Sequence, residues 1–337
     1  MLELLLPLCL SMLMTVVLVL PLRGWLVMKG LVDQPGGRRS HEVATPRGGG
    51  LAMVVAVLIV VNIFAVPSPA IWGISGLVLL LAGLGWLDDA SDLPVKWRFG
   101  MQLLIAAMML ALTGTVDSVA FGSLELNWPW LWSGLGLVAV VWLINLHNFM
   151  DGSDGLLAMQ GAWTGLAMAA LMHPKGGIGA LLAIVMAGAC LGFLLWNRPP
   201  ARVFMGDSGS LLIGGLVGLL ALSGAASGLV SIWVSLIITA LFVVDATATL
   251  VRRVVRGSRW YNAHREHAYQ KLISGGWSHG RVLLLYGSMN LLIVLPVLLL
   301  ANRFPDQEML LALGLVGLLT FAWWRLHDTL DKEANQQ

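Results

Sequence analysis

The stretch "WLWSGLGLVAVVWLINLHNFMDGSDGLLA", residues 130–158, sets an apolar run directly against a polar cluster. From 130 to 147 it is dominated by Leu, Val, Ile and Trp, close to the length a helix needs to cross a bilayer. Across its end, Asn145, Asn148, Asp151 and Asp154 recur every three residues, which brings them near one helical face or into a tight turn. Gly152 and Gly155 lie among them and let a ligand approach the backbone. Four oxygen-bearing side chains beside a membrane span are costly, and that cost points to function.

The rest of the chain follows the same pattern. Of 337 residues, 58% are hydrophobic and 11% charged, against roughly 25% charged in an ordinary soluble domain. So few charges cannot cover a soluble surface, and so apolar a chain is not disordered. The composition implies an all-α polytopic membrane protein, a single integral-membrane domain over 1–337. Eleven apolar runs read as spans, at about 4–28, 49–66, 70–87, 101–116, 130–147, 156–172, 177–196, 209–227, 229–250, 282–301 and 308–326. The first run is too long for a signal peptide and lacks a basic start, so it reads as a span. Glycines scatter through the runs, 39 in all, as small residues do where membrane helices pack closely. Cys9 and Cys190 lie in apolar runs and read as packing residues. A net charge of +2 makes no case for nucleic acid.

Lysines and arginines are unevenly divided between alternate connections, 18 against 2. The positive-inside rule turns the rich side to the cytoplasm and leaves the N-terminus outside. Most acids share that side, coming from five connections: 29–48, 88–100, 148–155, 197–208 and 251–281. Carboxylates mixed with arginines suit a divalent metal and phosphates. A transporter would instead place its polar groups near the bilayer midplane.

Asp88 and Asp89 end an apolar run in "WLDDASDLPVKWRFGMQ", residues 86–102; adjacent carboxylates repel unless a cation or proton is shared. Lys96 and Arg98 follow closely and suit an incoming phosphate. In "RVFMGDSGSLLIGG", residues 202–215, Asp207 precedes a helix start that Ser208 or Ser210 is expected to cap, and the amides there suit a phosphate. Gly48, Gly49 and Gly50 after Arg47 loosely match a phosphate loop. "RRVVRGSRWYNAHREHAYQKL", residues 252–272, combines arginines, aromatics and two histidines. Asp245, inside a run, is either functional or part of a structural ion pair.

In this order the patterns resemble the polyprenyl-phosphate N-acetylhexosamine-1-phosphate transferases, glycosyltransferase family 4. The first family motif is matched at Asp33, Pro35, Arg38, Arg39, His41, Thr45, Pro46, Gly49 and Gly50; the paired aspartates at Asp88 and Asp89; the Asn/Asp motif from Asn145 to Gly155; and F-M-G-D-x-G-S from Phe204 to Ser210. The resemblance implies transfer of a sugar-1-phosphate from a UDP-N-acetylhexosamine to undecaprenyl phosphate in the bacterial inner membrane, with release of UMP. It implies a magnesium ion, or manganese, on Asn148 and Asp207, and catalytic roles for Asp88 and Asp89. Substrate contacts are implied for Asp33, Arg47, Asp151, Asp154 (to uracil), Phe204 (stacked on the ring), and His264, Arg265 and His267 (to the sugar). The "HREHAYQ" stretch looks most like the branch that starts O-antigen or related surface polysaccharides, with the peptidoglycan-precursor branch as the alternative. A homodimer is left open.

A phosphate monoester has a second pKa of about 6 and is mostly dianionic at neutral pH. Direct attack by the lipid phosphate is therefore the leading mechanism, and a covalent phosphosugar–aspartate the rival.

Overall fold

The fold was obtained as a computed structural model that describes residues 2–33, 44–91, 93–175, 177–258 and 264–334. Arg38, Arg39 and His41 of the first motif lie outside the described residues, as does Pro35. The chain divides into two compact units: Met1–Val119 with Leu126–Ile232, and Ala120–Glu125 with Trp233–Gln337.

The first unit is built from α1 (Leu2–Met28), β1 (Val32–Asp33), β2 (Thr45–Pro46), α2 (Gly50–Phe64), α3 (Pro69–Ser91), α4 (Val95–Thr113), α5 (Pro129–Phe149), α6 (Leu156–Met172), α7 (Ile178–Asn197) and α8 (Asp207–Ser227). A two-stranded hairpin, β3 (Ser118–Phe121) and β4 (Leu124–Asn127), lies between α4 and α5. The second unit carries α9 (Ile232–Val255), α10 (Ala268–Ser274), α11 (His279–Met289), α12 (Leu295–Arg303) and α13 (Glu308–Ala334). A π-turn at Asn290–Val294 joins α11 to α12 as one rod.

Every expected run falls on a helix. Among the described residues nine helices are long and apolar enough to cross a membrane, and two more, Gly50–Phe64 and Leu156–Met172, are apolar but shorter. Helices are forced here because a lipid-facing backbone must satisfy its own polar groups. The two small sheets and α10 were not foreseen; two-residue strands carry no readable alternation.

The glycines serve the packing read for them. A Cβ on Gly188 or Gly192 of α7 would sit 2.4 Å from the carbonyl oxygen of Leu8 or Met12 on α1. The two helices therefore touch backbone to backbone. Such packing lines up the ends of α2, α3, α5 and α8 around one polar cluster.

Candidate active site

The cluster begins where β2 runs into α2. Arg47 forms a bridge with Phe204. Phe204 donates its N–H to Pro46 O (2.8 Å) and accepts from the N–H groups of Gly48 and Gly49 (3.1 and 2.9 Å). The 45–50 and 203–206 segments thus form one clamp. Its glycines are there for contact: a Cβ on Gly50 would lie 2.4 Å from Cα of Gly209, and one on Gly85 would lie 2.4 Å from the carbonyl of Asp207. The Gly48–Gly50 run is consequently a packing joint, and the phosphate-loop reading is corrected.

Two other elements bring acids to this clamp. Asp88 and Asp89 stand at the last turn of α3, and Asp207 is the first residue of α8. Arg47 Nη2 lies 2.8 Å from Asp89 Oδ1 and 2.9 Å from Asp207 Oδ1. Asp89 Oδ2 accepts the Asp207 N–H at 2.8 Å, so a carboxylate from α3 caps α8. The expected serine cap is therefore corrected: the N-cap position is Gly206, with no side-chain cap. Ser210 Oγ instead accepts from Asn148 Nδ2 at 2.9 Å, and Ser208 Oγ is buried without a hydrogen-bond partner among the described residues. A carboxylate is the better cap here, since it meets the positive end of the helix dipole.

Asn148 and Asp151 complete the cluster from the end of α5. Asn148 also hydrogen-bonds the Asp207 side chain. Asp151 is raised well above the usual carboxylate range, first by burial and then by Asp207. The Arg47 guanidinium is held charged by Asp89, Asp207 and Asp151, against the opposing effect of its burial. Three carboxylates therefore surround one guanidinium, and the side chain of that arginine remains 48% exposed.

Asp88, though adjacent, is differently placed. It is buried, accepts from Arg98 Nη1 at 2.6 Å, and takes the Leu93 N–H at 3.0 Å. Arg98 thus holds Asp88 rather than facing outward, whereas Lys96 on the first turn of α4 is exposed. Asp33, Arg47, Trp86 and Asp89 share the lining of an open cavity of about 210 Å³.

Asp154 is engaged in structure. Its Oδ2 accepts the Ala201 N–H at 2.9 Å. Asn197, at the end of α7, works beside it: its Oδ1 takes the Gly155 N–H and its Nδ2 donates to Val203 O, both at 2.9 Å. Sequence reasoning passed over Asn197; the available signal was an amide closing an apolar run. Gln102 was missed likewise. Its Oε1 accepts from Asn145 Nδ2 at 2.7 Å; it closes the 86–102 stretch, but its partner lies 43 residues further on.

His264, Arg265 and His267 belong to the second unit. His267 is buried and forms a capping box with Gln270 at the start of α10. Arg265 is exposed. His264 is lowered to about 4, by burial first and then by His267 and Arg253, so it is a neutral hydrogen-bonding group at physiological pH.

The fit of a divalent ion rests on the donors. Among the described residues no three His, Cys, Asp or Glu side chains are grouped to chelate one. The available ligands are hard oxygens, those of Asp207 and Asn148 with Asp89 and Asp151 alongside. Asp89 Oδ1 is buried and among the described residues has no hydrogen-bond partner beyond its ionic contact with Arg47. Surplus negative charge with an incomplete protein shell fits magnesium, which keeps waters and takes further oxygens from a substrate phosphate.

A multi-pass helical membrane protein with acids and an arginine gathered at helix ends is a candidate for handling phosphorylated substrates beside the lipid. The comparisons narrow that class. The pattern of Glycosyl transferase family 4 matches residues 71–225. The "Probable undecaprenyl-phosphate N-acetylglucosaminyl 1-phosphate transferase" of Bacillus subtilis is 32% identical over 277 residues, covering 79% of this chain and 76% of that protein. The "Decaprenyl-phosphate N-acetylglucosaminephosphotransferase" of Mycolicibacterium smegmatis is 32% identical over 310 residues, 78% of this chain and 74% of that one. The "Phospho-N-acetylmuramoyl-pentapeptide-transferase" of Synechococcus elongatus is 29% identical over 301 residues, 80% and 79%. The chain belongs to glycosyl transferase family 4, the polyprenyl-phosphate sugar-1-phosphate transferases.

Proposed function

We propose that this chain, acting as one transferase domain, moves an N-acetylhexosamine-1-phosphate from a UDP-sugar to undecaprenyl phosphate at the cytoplasmic face of the bacterial inner membrane. The observation that carries the reading is the half-exposed Arg47 shared between Asp89 and Asp207, with Asp151 beside them. A guanidinium with more carboxylates than it can neutralise suits a ligand that brings both phosphate and a divalent cation. Magnesium on Asp207 and Asn148, with manganese as the substitute, would neutralise the donor diphosphate.

Arg47 is placed to turn from its carboxylates to a phosphate oxygen of the donor. Lys96, exposed on α4, is the cation for the acceptor phosphate, with Arg98 beside it held on Asp88. An oxygen of the acceptor phosphate forms a bond to the sugar-bearing phosphorus. The bond from that phosphorus to the bridging oxygen breaks, and its electron pair leaves with UMP. Both Asp88 oxygens are engaged, and Asp89 holds Arg47 and the start of α8. That engagement supports direct attack over a covalent aspartyl intermediate: the pair sets positions, and a dianionic acceptor needs no base.

The product would begin a lipid-linked surface polysaccharide, such as lipopolysaccharide O-antigen. The Synechococcus relative, named for phospho-N-acetylmuramoyl-pentapeptide, gives a second reading, a peptidoglycan-precursor donor. A panel of UDP-sugars offered to the purified protein with undecaprenyl phosphate separates the two. The expected result is UMP release and organic-soluble label with a simple UDP-N-acetylhexosamine. Label from the muramoyl-pentapeptide donor alone would favour the second reading, and label from none would end both.

A further inference from the structure

Gln102 lies on α4 and is 2% exposed. A carboxamide buried in an apolar helix is costly unless its donor and its acceptor are both met, and one facing residue meets both. Gln102 Oε1 accepts from Asn145 Nδ2 on α5 at 2.7 Å, and Gln102 Nε2 donates to Asn145 Oδ1 at 3.4 Å. Asn145 Nδ2 also donates to Val141 O, one turn back on its own helix, at 2.7 Å.

The pair belongs to a closed circuit of polar contacts. Gln102 stands four residues beyond Arg98, so both share a face of α4, and Arg98 Nη1 holds Asp88 at 2.6 Å. Asp89, next to Asp88 on α3, takes the Asp207 N–H at 2.8 Å. Asp207, at the head of α8, is hydrogen-bonded by Asn148, which also donates to Ser210. Asn148 stands three residues beyond Asn145, on the same face of α5. The circuit thus runs through α3, α8, α5 and α4 and back to α3, entirely within the first unit. Gln102 and Asn145 are its hydrogen-bonded link between α4 and α5.

We propose that Gln102 is a positioning residue: through Asn145 it fixes the end of α5, and with it the placement of Asn148 and Asp151 against Asp89 and Asp207. Its effect on sugar transfer rests on the transferase reading; the fixing of α5 does not. An apolar side chain of similar size would fill the same space without a polar penalty. What the paired amides add is direction, since a buried amide pair sets the register of two helices at some cost in stability. Register matters at this point because a displacement of about 1 Å among reacting groups costs roughly 100-fold in rate.

The test uses the full-length purified protein, the variants Gln102→Met, Gln102→Asn and Asn145→Gln, and the double variant that exchanges the two amides. Amide hydrogen exchange is read over 145–151 without substrates, and kinetics are run with UDP-N-acetylhexosamine and undecaprenyl phosphate. Gln102→Met keeps the volume and removes both bonds. It should speed exchange at the end of α5 by about tenfold while α7 stays protected. It should lower kcat by about 100-fold with the KM of both substrates unchanged, a split that a loss of folded protein alone would not produce. Each amide-shifting single variant should lose kcat, and the double variant should recover most of it. Gln102→Asn retains a polar side chain and serves if Gln102→Met fails to fold. Unchanged local exchange, exchange raised equally throughout, fast local exchange with wild-type kcat, or a double variant as slow as the slower single one would each overturn the proposal. If the wild-type protein transfers no sugar at all, the transferase reading falls, and local exchange decides whether Gln102 fixes α5.

Discussion

Asp207 and Asp245 are aspartates on apolar helices, and they are treated in opposite ways. Asp245 is saturated: donors from three helices and a backbone amide occupy both oxygens. Asp207 shares Arg47 with Asp89, acts on Asp151, and keeps a side chain 17% exposed. A buried acid whose donors match its capacity holds structure. In a cluster of acids that outnumber their cations, each carboxylate pushes up the proton affinity of its neighbours.

The contrast is broken most sharply at Asp207. Asp207→Asn keeps the shape and removes the charge, and it should cut sugar transfer by about 1000-fold while leaving thermal stability near wild type. A variant with normal turnover would show that Asp207 is as structural as Asp245. A smaller effect is expected at Asp151. Its folded pKa is raised, first by burial and then by Asp207, so the folded metal-free protein binds its proton more tightly than the unfolded chain does. Stability is then lost as pH rises from the ordinary carboxylate range through the raised value. Asp151→Asn should flatten that decline in melting temperature across mildly acidic to neutral pH, and an identical slope in both proteins would count against the burial of this carboxyl. The smallest effect is expected at Ser208, whose hydroxyl is buried and has no partner among the described residues. Ser208→Ala removes an unsatisfied buried hydroxyl and should leave stability unchanged or raise it by about 1 kcal/mol, measured by thermal melting, and a large loss would reveal a bond to Oγ.

What could be read from the sequence follows from what is local. Spans show as apolar runs, and the acids of "DD", "NFMDGSDG" and "FMGDSGS" stand out because polar groups at span ends are rare. Their pairings could not be read. Ser208 and Ser210 looked like caps because capping is usually local, but the cap came from Asp89, 118 residues away. Arg98 suits a phosphate in the sequence, and its pairing with Asp88, ten residues back, could not be read there. Asp245 was ambiguous for the same reason: its partners Tyr286 and Trp323 lie 41 and 78 residues further on. The glycine run at 48–50 shows the converse error, since Gly50 is pressed on the backbone of Gly209 and Gly49 on the side chains of Phe193 and Val203.

The most direct measurement is a structure of the protein with UDP-N-acetylhexosamine and magnesium. The account predicts the diphosphate beside Arg47, with the ion on Asp207 and Asn148 and within reach of Asp89. A nucleotide seated away from these residues, with Arg47 still holding both carboxylates, would contradict it.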